Sequence, residues 1–184
     1  MTQPPAQLQF VWAIMIDMSH AFLEKSRRLI KSDYLSKIER SLEYLTEEDI
    51  WWRPNEASNS IGNLLLHLCG NVTQWIISGV GGRPDNRKRQ QEFDERTRTP
   101  ARELMAKLRA AVDEADEIIR SLDAKALMSR RQIQDYDVTV LEAIYHVVEH
   151  FGMHTGQIIM MTKLRTGKDL KLWRPVRETT SGRP

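Results

Sequence analysis

Cysteine is almost missing from this 184-residue chain: Cys69 stands alone. That excludes an internal disulfide and every zinc motif built from several cysteines. Glycine is scarce, nine in all, and neither G-x-G-x-x-G nor G-x-x-x-x-G-K-[ST] occurs. The common phosphate-cradling loops are therefore absent. Charge of one sign is not in excess, since 27 Lys and Arg against 25 Asp and Glu leave a net charge of +2. A dedicated nucleic-acid binder needs a clustered basic face. The nearest candidate, Arg83 to Arg98, mixes six cations with four carboxylates and offers only Phe93 for base stacking, so no nucleic-acid partner is expected.

Long apolar runs are limited to two. Phe10 to Met18 is short, interrupted by Asp17 and preceded by no basic region, unlike a secretory signal. Ser60 to Gly82 carries no charge over a span long enough to cross a bilayer. It also carries Asn63, His67, Asn71, Gln74 and five glycines, which favours a helix buried in protein, with no membrane partner. With no targeting signal and no cysteine pair, the expected compartment is the cytoplasm.

What is present is helical periodicity; convincing runs of alternating β-branched residues are absent. The length suits one domain, residues 1–184, with a core over about 10–165 and a mobile tail over 174–184. The first helix is expected from about Leu8 to Leu45, with a break near Ser32-Asp33. Thr46 opens a short turn that Arg53-Pro54 ends. Ser58, Asn59 and Ser60 are capping residues for a second helix ending near Gly79 to Gly82. Arg83 to Arg98 reads as a long surface connection, after which Thr99-Pro100 caps and starts a third helix reaching Leu122. Asp123 to Val138 reads as a loop with some extended structure. Thr139 and Glu142 form a capping box for a fourth helix that runs to about Arg165, where Gly167 can take the left-handed cap. The expected fold is all-α, an up-down four-helix bundle with a long connection between its second and third helices.

Chemistry is suggested by the histidines. Three of the five, His146, His150 and His154, fall within nine residues of the fourth helix, and His67 lies inside the charge-free second helix. Residues four apart on a helix differ by about 40° in direction and about 6 Å in height, so two such imidazoles can reach one ion. Residues eight apart are about 12 Å distant along the axis, too far to share a zinc with bonds of about 2.0–2.1 Å. Either His146 with His150 or His150 with His154 forms the pair, and another helix supplies a third ligand, His67 before His20. Three neutral imidazoles with an open position let zinc hold a reactive water or a substrate thiol. The plainer reading is a set of hydrogen-bonded core histidines, with Asn63, His67, Asn71 and Gln74 as the wet face of a helix. His146-Val-Val-Glu149-His150 also matches the inverted zinc-peptidase pattern H-x-x-E-H, a short match with no acidic ligand downstream before Asp169.

Two segments carry a resemblance. Leu45-Thr-Glu-Glu-Asp-Ile-Trp-Trp-Arg-Pro-Asn-Glu-Ala-Ser-Asn-Ser-Ile-Gly-Asn-Leu-Leu-Leu-His67-Leu-Cys-Gly-Asn resembles the central signature of DinB-like (YfiT-like) proteins. His146-Val-Val-Glu-His150-Phe-Gly-Met-His154-Thr-Gly-Gln157-Ile resembles their last-helix signature. The resemblance implies a four-helix bundle with a divalent metal on one histidine of the second helix and two of the fourth, here His67, His150 and His154. His146 is then extra, a neighbour of the site, a substrate contact or a proton carrier. Glu149 points about 100° away from His150. Asn63 and Asn71 flank His67 as pocket candidates, and Gln157 is placed to orient His154 or bind substrate. Gly152 and Gly156 leave room for close packing or for a ligand. Trp51 and Trp52 read as a cover over the bundle end, and Cys69 as a core residue facing away from His67.

The resemblance further implies transfer of a low-molecular-weight thiol such as bacillithiol or mycothiol, or a thiol-dependent isomerisation, on a small-molecule substrate by a homodimer. A histidine-bound cation lowers a thiol's pKa and so makes a nucleophile at neutral pH. Zinc is the first choice of ion, although imidazoles also suit nickel, copper and iron. The alternative function is a non-catalytic, stress-linked metal-binding protein whose ion braces the bundle.

Overall fold

The apolar spacing of the chain resolves into four long helices. A computed structural model describes residues 18–173; the expected helix start at Leu8 and the expected tail from Arg174 lie outside the described residues. Helix α1 occupies residues 18–42, and its Arg28–Tyr34 portion is π-wound before Leu35–Leu42 returns to the α form. The irregularity at Ser32-Asp33 is therefore a widened turn within a continuous helix. Thr46 closes a capping box with Asp49 and opens α2, Glu47–Trp51. Helix α3 spans residues 61–80, α-helical over Ile61–Val72 and π-wound over Thr73–Val80, and Ser60 caps it. The connection that follows holds a short helix, α4, Arg89–Asp94. Helix α5 is Ala101–Arg120 and α6 is Ala124–Leu127. Strands β1, Arg130–Ile133, and β2, Tyr136–Thr139, pair antiparallel, with Arg130 opposite Thr139 and Ile133 opposite Tyr136. Helix α7, Val140–Thr166, completes the bundle, capped at one end by Thr139 with Glu142 and at the other by Gly167 at φ 63°.

Packing gives the bundle its order. Helices α3 and α1 each pack against both α5 and α7, so α1 and α3 lie across the core from one another. The pairs Arg27–Asp116 and Glu39–Arg109 make α1 and α5 antiparallel. His67 meets His150 and Asn71 meets His146, so α3 and α7 are antiparallel too. Cys69 lies beside Lys107 and Arg83 beside Glu114, which makes α3 and α5 parallel. The four long helices thus run up, down, down, up. A helix of this length rises about 30 Å. Its parallel successor can start only after the chain has returned that distance, which is why the connection is long.

The core is apolar and closed, with Ile38, Ile61, Leu65, Leu68, Ile76, Leu108, Ile144, Phe151 and Ile158 fully buried. Buried hydroxyls within it are satisfied locally: Thr155 donates to the Phe151 carbonyl and Thr162 to that of Ile158, each at 2.8 Å. Trp51 closes one end, against Gly62, where any Cβ would come within 2.9 Å of the indole.

One expected cap is corrected. Thr99 does not cap α5: its carbonyl accepts from Trp51 Nε1 at 3.2 Å, and the Ala101 amide donates to the Glu47 carboxylate at 3.0 and 3.1 Å. The cap comes from another helix because Pro100 has no side-chain acceptor to offer. The stretch expected to be a loop with some extended structure forms this regular hairpin. Its two-residue turn, Gln134-Asp135, lacks the usual glycine or asparagine, and Gln134 adopts φ 55°.

The α7 cap is local and exposed, so its loss can be isolated. Thr139→Ala is expected to lower stability by about 1 kcal/mol, read as a lower urea midpoint at unchanged slope.

Candidate metal centre

Helix α7 presents His146, His150 and His154 on successive turns, and α3 turns His67 toward them. His67 Nε2 lies 2.8 Å from His150 Nε2, and His150 Nε2 lies 3.2 Å from His154 Nε2. Within the described residues these three form a group whose donor atoms all lie within 4.8 Å of one another, and which could hold a metal ion. His67 and His154 are buried and His150 is half-buried.

Hydrogen bonds at the far side of each ring decide what faces inward. His154 Nδ1 donates to Gln157 Oε1 at 2.7 Å. His67 Nδ1 lies 2.8 Å from Glu92 Oε2 and 3.1 Å from Arg87 Nη2. A guanidinium can only donate, so the shorter contact to a carboxylate settles the tautomer: His67 Nδ1–H donates to Glu92. Both rings therefore turn an Nε2 lone pair toward His150. One proton on His150 Nε2 can serve only one of two neighbouring lone pairs, whereas a cation serves all three. Nitrogens sharing a tetrahedral zinc stand about 3.3 Å apart, close to the separations found. The donor set fits a divalent ion.

The electrostatics favour neutral rings. Burial lowers the pKa of His150, reinforced by His154 and His67, to about 3. Burial also lowers His154 and His146 below the ordinary histidine value. Burial would raise the Glu92 carboxyl, but hydrogen bonds from Arg87 and His67 outweigh it and hold the group below its usual range.

The segment read as a surface connection supplies the wall beside His67. Arg87 Nε donates to Glu92 Oε1 at 2.7 Å and Arg87 Nη2 to Glu92 Oε2 at 2.9 Å, with the two side chains 5% and 12% exposed. The Phe93 ring lies over His67, 4.7 Å between centroids. Arg87 Nη1 donates to Gln74 Oε1 at 2.9 Å, and Gln74 Nε2 donates to Asp85 at 2.6 Å. The polar stripe on α3 is therefore covered by the crossover rather than wetted. Sequence reasoning missed Arg87 and Glu92. The only available signal was that the return path beside α3 must pass the level of His67.

The remaining predicted residues divide. His146 stacks on Trp75 at 3.9 Å and accepts from Asn71 Nδ2 at 3.1 Å, while buried Asn71 Oδ1 has no partner. His146, Asn71, Trp75, Arg87, Arg89, Tyr136, His67 and His150 line a cavity of about 580 Å³. Asn63 stands outside it: its oxygen completes the Ser60 cap and accepts from Arg53, and its Nδ2 donates to the Glu92 carbonyl at 2.8 Å. A fully buried amide with those partners binds the crossover to α3. Glu149 and His20 are exposed and outside the group. Gly152 packs on Tyr34, where a Cβ would meet the phenol at 3.1 Å, whereas Gly156 is open. Cys69 is partly buried, 3.7 Å from the Lys107 carbonyl, on the face toward α5. Trp52 carries Arg165 over its ring at 4.9 Å, at the bundle end.

The model of a family described as a protein of unknown function (DUF1572) matches residues 17–176. The chain belongs to that family. A crystal structure of a DinB-like protein from Bacillus cereus superposes with a TM-score of 0.60, over 76% of this chain and 89% of that one, at 15% identity. That likeness shows the fold: the helices are arranged as in a DinB-like protein. No curated protein matches it. No described helix is long and apolar enough to cross a membrane.

The depressed histidine gives a sign to the pH dependence of the metal-free protein. The unfolded ring takes up its proton near 6.5 and the folded one at about 3. The stability it contributes is complete above the first value and disappears as pH falls toward the second. Urea unfolding of the metal-free protein at stepwise lower pH is expected to show this loss, and His150→Gln to flatten it.

Proposed function

We propose that this protein is a cytoplasmic, metal-dependent enzyme acting on a small molecule, a transferase that uses a low-molecular-weight thiol. His67, His150 and His154 would hold the ion, with zinc the best match and nickel or iron able to replace it. The observation that carries the reading is the convergence of three Nε2 atoms beside a cavity of about 580 Å³. Three imidazoles with no fourth His, Cys, Asp or Glu in the group, among the described residues, match a catalytic rather than a structural zinc set. When bound, the ion supplies Lewis acidity and lowers the pKa of a thiol or water beside it.

The chain's own side chains supply the rest. Trp75 and His146 offer a flat wall for an apolar portion of the substrate. His146, neutral at physiological pH, is the residue placed to take a proton at the cavity wall. Gln157 orients His154 from behind.

A second reading, a non-catalytic stress-linked protein, is favoured by the position of the three rings across two helices: an ion there would tie α3 to α7. The two separate in solution. Elemental analysis of untagged protein is expected to find a stoichiometric divalent ion that His67→Ala and His154→Ala lose. Full loading of both variants overturns the ligand assignment. Incubated with cellular thiols and a model electrophile, the metallated protein is expected to consume thiol. His146→Ala should slow this by about 100-fold without losing metal. No consumption with any thiol favours the second reading.

We further propose a homodimer through the outer face of α7. Tyr145, Met153, Met160 and Leu164, each 53–61% exposed, fall at spacings that align them on one stripe. The open Gly156 lies among them. Replacing Met160 and Leu164 together by Glu is expected to halve the mass found by sedimentation, and an unchanged mass removes the stripe from the interface.

A further inference from the structure

Accepting the metal reading above, we infer that Glu92 is a positioning residue of the three-histidine centre, clamped by Arg87 in a notch that Gly70 leaves open. Three observations meet at this point. The Glu92 carboxylate takes the Nδ1–H of His67 at 2.8 Å on one oxygen, which also accepts from Arg87 Nη2 at 2.9 Å. Its other oxygen accepts from Arg87 Nε at 2.7 Å. A Cβ built on Gly70 would lie 2.0 Å from Glu92 Oε1 and 2.8 Å from Arg87 Nε. The pair thus sits in the space that a side chain at position 70 would fill, less than one turn of α3 from His67.

Each member has a separate task. Arg87 satisfies both carboxylate oxygens, so Glu92 is held still at a largely buried position where a lone charge would be costly. Glu92 fixes the ring of His67 and its tautomer, which leaves Nε2 as the donor turned to the ion and makes that donor more basic. Gln157 performs the neutral version of this task on His154. The crossover is therefore part of the centre: α7 carries two ligands, α3 carries one, and α4 carries the group that orients it.

Gly70→Ala separates this role from folding. Alanine is a better helix former than glycine by about 1 kcal/mol, and the atoms that must yield are the far ends of two flexible side chains, so α3 persists while the clamp is displaced. The experiment is cobalt(II) titration against a competing chelator, with the visible spectrum of the bound ion recorded, on full-length protein. Glu92→Ala and Gly70→Ala are each expected to weaken cobalt binding by about 10–100-fold and to alter the spectrum, with the helical circular dichroism of the metal-free protein retained. Glu92→Gln, which keeps an oxygen for Nδ1–H, is expected to recover part of the loss. The Gly70→Ala, Glu92→Ala double variant should bind no worse than the weaker single one, because both remove the same contact. Undiminished affinity and an unchanged spectrum in Glu92→Ala and Gly70→Ala overturn this inference and leave the metal reading standing. Wild-type protein that takes up no stoichiometric cobalt overturns the metal reading, and this inference with it.

Discussion

A helix with no charged side chain from Ser60 to Gly82 has to be buried, and it carries His67, Asn71 and Gln74 inward with it. Removing such groups from water costs several kcal/mol each unless every one finds a partner. The rest of the molecule is arranged around that requirement. Helix α7 meets His67 with His150 and Asn71 with His146, and the crossover meets Gln74 with Arg87 and His67 with Glu92. What remains without a partner on that helix is informative: Asn71 Oδ1, on a side chain that lines the cavity.

The direction of the helices explains why the crossover takes part. Because α3 and α5 run parallel, the chain must climb back alongside α3 before α5 can start. A return path in contact with a polar stripe is worth stabilising, and Arg87, Glu92, Asp85 and the Glu92 and Phe93 carbonyls do so. Removing one partner of a buried ion pair costs about 3–5 kcal/mol, although the intact pair adds little to stability over a well-packed apolar replacement. The clamp is better understood as a device for orientation than as a source of stability. Its residues lie in a stretch whose composition, mostly exposed and of mixed charge, resembles an ordinary solvated loop.

Local signals were read well wherever the relevant contacts are local. The helix start at Thr46, the capping box at Thr139, the cap at Ser60 and the left-handed Gly167 all depend on residues within four positions, and each is found where the residue types place it. Misreadings occur where a distant element competes. Thr99 has the chemistry of a cap, yet Glu47 from α2 performs it. Asn63 has the spacing of a pocket residue, yet its amide is satisfied by the crossover. The hairpin turn was hidden because Gln134 adopts a backbone conformation usually left to glycine or asparagine, with its side chain held by Gln74 at 2.5 Å.

By itself the sequence determined that the chain is helical, where most helices are capped, and that His146, His150 and His154 share one face while His67 lies on a buried helix. These follow from a period of 3.6 residues and from the free energy of burying apolar surface, both properties of short segments. Only the tertiary structure decided that α3 and α5 are parallel and that Arg87 and Glu92 stand beside the histidines. Those outcomes depend on which faces of distant segments come together, and residues separated by a crossover carry no periodic signal of their meeting.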